Sequence, residues 1–260
     1  MNVGPHARPA VDLNADVGEV PAALADGREA ALMSLVTSAN IACGGHAGTE
    51  ATMEATLALA KRFSVAAGAH PGYPDREGFG RDSLGMTPAA IEDTVFLQVR
   101  ALAEFADRGG CALAHVKPHG ALYNDAARNR EVAEAIARGV ARWSSEVVLV
   151  GLAGSLMLEV FAEHGFETAP EAFADRAYES DGSLRSRRLP GALIAEPAQA
   201  AAQAVRIARE GKVVASDGRE IPVVARTICV HGDTPGAARI AAAVAGALRA
   251  AGVRLVPLRP

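Results

Sequence analysis

The chain has 260 residues and a formal net charge of −4; 50% of its residues are hydrophobic and only 4% aromatic. That size and composition suit one α/β domain with a core of Ala, Val, Leu and Ile, and exclude a disordered chain. With no long run of one sign, the charge excludes an obvious nucleic-acid or anionic-membrane surface.

Strand-like runs alternate with Ala-rich amphipathic stretches along the chain. Strands are expected at residues 10–13, 38–43, 65–69, 113–117, 147–152, 168–174 and 223–230. Helices are expected at 28–36, 49–62, 88–107, 131–142, 154–163, 197–209 and 235–251. Thr87-Pro88 and Thr234-Pro235 read as an N-cap followed by a first-turn proline, and Gly109-Gly110 as a helix stop. Asp217-Gly218 between 213–215 and 221–225 predicts an added hairpin. Seven β-then-α units predict parallel strands with right-handed crossovers. The expected architecture is therefore α/β: one domain over 1–260, a seven-unit (β/α) barrel of TIM-barrel type, distorted or incompletely closed. An open doubly wound sheet is the alternative, because pattern alone does not show closure.

Cys43, Cys111 and Cys229 fall at no zinc-type spacing and predict reduced thiols, with Cys43 a buried packing residue. The opening residues MNVGPHARPAVDLN contain no apolar targeting stretch, and no window approaches the ~20 apolar residues of a membrane span. A cytoplasmic protein is the expectation.

Rare residues fall where strands end. The 26 basic residues include only three lysines, Lys61, Lys117 and Lys212. Tyr73, Tyr123 and Tyr178 lie after strand candidates, as do His46, His70, His115, His119 and His231. In Asp12-Leu13-Asn14 the polar side chains share one strand face, with Asp16 and Glu19 expected in the following loop. Such acids serve as general base, metal ligand or amine anchor; alternatively Asp16 is a turn residue and Glu19 solvated. Asn40 begins a strand that runs into the glycine-rich bend before His46, and Thr49 is placed to cap the next helix. Arg76 and Arg81 lie in a long Pro- and Gly-rich loop after His70 and Tyr73 and suit carboxylate or phosphate, or a local Asp–Arg salt bridge.

In His115-Val116-Lys117-Pro118-His119, Pro118 disfavours helix. In extended chain the two histidines stand roughly 13 Å apart at about 3.3 Å per residue, too far for one metal to join. Proton transfer and oxyanion stabilisation fit better, with Tyr123 and Asn124 completing a pocket. Asp175 and Arg176 end another strand; His231 and Asp233 end the last, beside a helix N-terminus that favours anions. Arg185, Arg187 and Arg188 read as a solvated loop. No P-loop or dinucleotide fingerprint occurs.

The strings VDLNADVGE, SANIACGGHAG, GAHPGYPDREGFGR, HVKPHGALYN, EAFADRAYESDGSL and VHGDTPGA, in this order, resemble the LamB/YcsF family. Thr49 stands where that family usually carries Asp. The resemblance implies ATP-coupled opening of the lactam 5-oxoproline to glutamate, together with partner subunits B and C. ATP is then the co-substrate; whether a divalent metal is held stays open at this point, with Asp12, His46 and His70 as its ligands if one is. Under this reading Asp12 or His70 is the base, Lys117 and His119 stabilise the oxyanion and phosphate, and Arg176 clamps the ring carboxylate. Asn14, Asn40, His46, Tyr73, Arg76, Tyr123, Asn124, Asp175, His231 and Asp233 complete substrate binding. The rivals are a metal-dependent deacetylase or amidohydrolase, and a non-catalytic 5-oxoproline-binding subunit.

Overall fold

A computed structural model of the chain describes residues 9–234 and 236–259; segment 1–8, Pro235 of the expected Thr234-Pro235 cap, and Pro260 lie outside these. The elements follow in the order β1 (Ala10–Val17), α1 (Pro21–Ala25), α2 (Arg28–Met33), β2 (Ser38–Ala42), α3 (Glu50–Phe63), β3 (Ala66–His70) and α4 (Pro88–Gly109). Next come β4 (Leu113–Val116), α5 (Gly120–Ala126), α6 (Arg130–Ala141), β5 (Val148–Leu152), α7 (Leu156–Glu163) and β6 (Glu167–Phe173). The chain finishes with α8 (Pro197–Glu210), a hairpin β7 (Lys212–Val214) and β8 (Glu220–Pro222), then β9 (Thr227–Val230), α9 (Ala237–Ala250) and β10 (Arg254–Leu255).

Strands β1 to β6 pair in sequence order, all parallel, and β9 pairs with both β6 and β1. The sheet therefore closes into a seven-stranded barrel, and the open-sheet alternative falls. Short β10 lies outside it, against β1. Alanine and valine let the helices sit close on the barrel: Ala67, Val99, Ala133, Ile136 and Val244 all belong to one buried cluster.

The capping signals in the sequence match the helix ends of α3 and α4. The Thr87 side chain accepts from Ala90 N, Gly110 closes α4 at φ 61°, and Thr49 forms a capping box with Thr52. A threonine caps as an aspartate does, so Thr49 is conservative at that position. Helix α9 starts later than expected, with Gly236 as its N-cap, and the buried Thr234 hydroxyl has no partner among the described residues. Strand β9 is also shorter than its candidate run, because Val224 is largely exposed beyond the β7–β8 hairpin.

The register fixes what points inward. Asn14 pairs with Ser38 and Cys229, Asp16 with Asn40, Gly68 with His115, and Glu171 with Thr227. Neighbours in register share a face, so the barrel lumen is lined by polar side chains. Gly68 makes room for one of them: a Cβ there would collide with the His115 imidazole. At the opposite end Leu258 packs with Val148, Val150 and Ala169 and makes an apolar floor.

Candidate active site

Strand β1 runs four residues past its expected end. Asp12, Asn14 and Asp16 therefore all project into the lumen, and Asp16 is no turn residue. Each meets a different layer. Asp12 is enclosed by three hydroxyls: Thr37 and Ser38 donate to Oδ1 at 2.7 and 2.6 Å, and Thr227 to Oδ2 at 2.5 Å. Burial pushes its carboxyl up to about 6, against those hydrogen bonds. Asp12 thus lies at the closed end of the barrel and away from the cavity wall.

Above it Asn14 Nδ2 donates to Glu171 Oε1 and Thr227 Oγ1, while Asn40 Nδ2 donates to Asn14 Oδ1 and Asp16 Oδ1. His115 Nε2 meets Asn40 Oδ1 at 2.8 Å, and burial lowers its pKa to about 3, so it is neutral. These amides hold the next layer rather than a ligand. Lys117 Nζ lies 2.9 Å from Asp16 Oδ1, 2.9 Å from Glu171 Oε1 and 3.2 Å from Cys229 Sγ. Burial opposes an ammonium here, but the acids outweigh it and hold Lys117 well above the ordinary lysine range. Asp16 is correspondingly low: burial raises it, and Lys117 and His70 overcome that.

At the rim, His70 Nδ1 meets Lys117 O at 2.7 Å and His119 Nε2 meets Phe79 O at 2.9 Å. Their other nitrogens stand 3.0 Å apart. Glu19 Oε1 is 3.3 Å from His119 Nδ1 and 3.0 Å from His46 Nε2. Burial, with Asp16 adding, pushes Glu19 up to about 8, and burial drives His46 down to about 2. The expected set Asp12, His46 and His70 is not brought together; Glu19 and His119 join the two histidines instead.

A cavity of about 760 Å³ opens on these strand ends, lined by Asp16, His70, Lys117, His119, Tyr123, Asn124, Phe173, Arg176 and His231. That volume is in the range of small-molecule sites. Arg81, Arg128, Arg187 and Arg188 are also in its wall. Of the loop cluster read as solvated, Arg187 is half-buried on the cavity wall and held by Asp233, while Arg188 is solvent-exposed at the mouth and pairs with Asp82. The Gly154-Ser155 turn at the start of α7 contributes as well.

His231 Nδ1 is held by Asp175 at 2.9 Å and its backbone N–H donates to the same carboxylate. The ring stacks on Phe173, with centroids 5.4 Å apart. This pairing fixes one tautomer and leaves Nε2 toward the cavity that His231 lines. Burial opposes the Asp175 charge, but His231 outweighs it and keeps the carboxyl low. The Tyr123 hydroxyl and Glu171 Oε2 are buried without a hydrogen bond of normal geometry.

Several expected ligand groups have other work. Arg76 Nη2 donates to Gly44 O and Gly48 O, so it braces the glycine-rich bend and does not face the cavity. Tyr73 donates to Asp125, and Asp233 pairs with Arg81 and Arg187 at the mouth. Arg176 Nη2 donates to Arg185 O, which leaves part of its guanidinium for the cavity. The sequence leaves Asp16 and Glu19 between a chemical role and a turn or solvated one, and both are buried at the site; Glu171, Phe173 and Cys229 are members it does not single out. Period-two alternation through β6 is the signal that finds Glu171 and Phe173.

Comparison with known proteins agrees with this geometry. A protein from Chloroflexus aggregans, named as the A subunit of 5-oxoprolinase, is 53% identical over 94% of this chain and 96% of its own length. The protein of the same name from Chloroflexus aurantiacus is 51% identical over equal shares. The crystal structure of a lactam utilization protein from Thermus thermophilus superposes with a TM-score of 0.88 at 44% identity, over 95% of this chain and 99% of that one. The profile of the LamB/YcsF family matches residues 11–260, and this chain belongs to that family.

Proposed function

We propose that this chain is the A subunit of an ATP-dependent 5-oxoprolinase that works with subunits B and C and opens 5-oxo-L-proline to L-glutamate. The observation that carries the reading is a buried ammonium and an Asp-held imidazole on one cavity whose mouth is lined with arginines. A five-membered lactam resists water because its amide carbon is a poor electrophile. Transfer of the ATP γ-phosphoryl group to the lactam oxygen gives ADP and an activated carbon. Water then adds, the ring nitrogen leaves with a proton, and the resulting acyl phosphate is hydrolysed by a second water to glutamate and phosphate.

The residues divide that work by position. His231 Nε2 takes the proton of the attacking water while Asp175 steadies the imidazolium, the arrangement general-base histidines require. His231 replaces Asp12 as the base, since Asp12 is closed off beneath two polar layers, and His70, since both its nitrogens face other groups. Lys117 turns the N–H it gives Cys229 Sγ toward the activated oxygen, its charge set by Asp16 and Glu171. Arg176 takes the ring carboxylate, and Arg187 and Arg188 with the α7 N-terminus favour phosphate. Among the described residues no helix is long and apolar enough to cross a membrane.

The test is glutamate formation from 5-oxoproline and ATP by the purified chain with and without its candidate partners. Turnover that needs all components and falls in His231→Gln supports the assignment. A complex that turns over normally with His231→Gln and Lys117→Met supports the non-catalytic binding role instead.

A further inference from the structure

We propose that Glu19, His46, His70 and His119 form a site for one divalent transition-metal ion of the zinc class, set into the barrel rim beside the cavity. The inference stands independently of the reaction assigned above.

The four side chains come from the ends of four consecutive strands: Glu19 after β1, His46 after β2, His70 ending β3 and His119 after β4. All four are buried, and one ligand atom from each lies within 4.8 Å of every other. Zinc binds imidazole nitrogen and carboxylate oxygen at about 2.0–2.2 Å, which makes the edge of its tetrahedron about 3.4 Å. Four of the six edges are 3.0 Å for His46 Nε2–Glu19 Oε1, 3.0 Å for His119 Nδ1–His70 Nε2, 3.3 Å for His119 Nδ1–Glu19 Oε1 and 3.8 Å for His70 Nε2–Glu19 Oε1. These bracket the required length; the His46 and His119 rings lie stacked with centroids 3.5 Å apart, so one of them turns when both lone pairs meet the ion.

The hydrogen inventory points the same way. A backbone carbonyl only accepts, so Lys117 O fixes the proton of His70 on Nδ1 and Phe79 O fixes that of His119 on Nε2. The facing nitrogens, His70 Nε2 and His119 Nδ1, are then both lone pairs 3.0 Å apart, with a carboxylate oxygen beside them. Two acceptors at that distance repel unless a metal ion or a shared proton lies between them. Carbonyl acceptors on the far nitrogens are also how metal-bound histidines are oriented. Three imidazoles and one carboxylate suit zinc, cobalt, nickel or ferrous iron, whereas magnesium demands oxygen ligands. A second cluster, Asp16, Cys229 and His231, is not a competing site, because the Lys117 ammonium already sits 2.9 Å from Asp16 and 3.2 Å from Cys229.

The test is metal binding by the full chain, purified without chelator or histidine tag. Elemental analysis should find close to one equivalent of transition metal. Co²⁺ added to chelator-stripped protein should give the d–d absorption of a nitrogen-rich, low-coordinate site and raise Tm. Glu19→Gln and His46→Gln should weaken Co²⁺ binding by about 100-fold or more, since even an outer partner is worth roughly 10–100-fold. If a variant fails to fold, the Co²⁺ spectrum of the unaltered chain still decides. Absence of bound metal, with no spectrum and no change in Tm on adding Zn²⁺ or Co²⁺, overturns the proposal and leaves a shared proton between His70, His119 and Glu19. Binding undiminished in both variants overturns it too, because the metal then sits elsewhere. Neither result depends on turnover, so failure here is distinguishable from failure of the oxoprolinase reading.

Discussion

Replacing Lys117 with methionine keeps the bulk of the side chain and removes its charge, and the structure sets what that costs. Asp16 and Glu171 each lie 2.9 Å from Nζ in the unaltered protein. Without it Asp16 keeps only the neutral Asn40 amide and Glu171 the neutral Asn14 amide. A fully buried carboxylate without a counter-charge takes up a proton. For Asp16 at pH 7 that costs 1.36 kcal/mol for each unit above the ordinary aspartate pKa of about 3.9, or about 4 kcal/mol. The figure agrees with the roughly 3–5 kcal/mol measured for buried ion pairs that lose one partner. At about 2–4 °C per kcal/mol for a domain near this size, Tm should fall by roughly 6–20 °C.

The pH dependence supplies the sharper check. Lys117 holds the Asp16 carboxyl low against burial, so in Lys117→Met that carboxyl rises above its unfolded value and the variant loses stability relative to the parent as pH rises. The deficit of about 4 kcal/mol at pH 7 should shrink to about 1.5 kcal/mol at pH 5, as the protonation cost falls. Urea unfolding of both proteins at several pH values between about 5 and 7.5 measures this directly. A deficit below about 1 kcal/mol at pH 7, or one that does not change with pH, refutes the account of Lys117 as the counter-charge of two buried acids.

Three further outcomes follow from the same geometry. Lys117→Arg keeps the charge but puts a planar fork where a compact ammonium fits between Asp16, Glu171 and the Phe173 ring, so turnover in the assembled enzyme should drop at least tenfold; near-parental activity would sink the argument for a compact cation. Asp175→Asn should lower kcat by about 10²–10⁴-fold, with KM for 5-oxoproline little changed, because it releases the His231 tautomer without altering the cavity wall; an equal rise in KM alone would make Asp175 a binding residue. His115 is neutral in the folded chain, with a pKa near 3 against an ordinary 6.5, so the unfolded state alone gains its proton as pH falls through that window. Stability should therefore decline from about pH 6.5 downward, and less steeply in His115→Gln; parallel urea midpoints for the two proteins would contradict it.

Much of this architecture was legible because a barrel concentrates one kind of information. Each strand is short and followed by a helix, so seven repeats of a run and an amphipathic stretch identify the α/β class. Closure was not legible, since it rests on β1 pairing with β9 across the whole length of the domain, and no local pattern carries that. Pro118 and the extended geometry of His115-Val116-Lys117-Pro118-His119 correctly separated the two histidines. One lies deep against Asn40 and the other at the rim. The partners of His119 were beyond reach, because His46 and His70 arrive from other strands. Arg76 shows a different limit: a guanidinium reads alike whether it faces a ligand or, as here, two carbonyls of a neighbouring loop.

The polar lumen explains why these limits fall where they do. Polar groups inside a barrel are costly unless every one finds a partner. Here the partners form a ladder: hydroxyls close over Asp12, amides join Asn14 and Asn40, and Lys117 neutralises Asp16 and Glu171. Among the described residues the match is not complete even in the lower layers, where His115 Nδ1 is buried without a partner, and near the cavity His46 Nδ1, the Tyr123 hydroxyl and one oxygen of Glu171 lack one. The acids beneath the cavity are matched all the same, Asp12 by hydroxyls and Asp16 with Glu171 by one ammonium. Charges fixed from below in this way hold Lys117 in place at the cavity wall, where the proposed chemistry is laid.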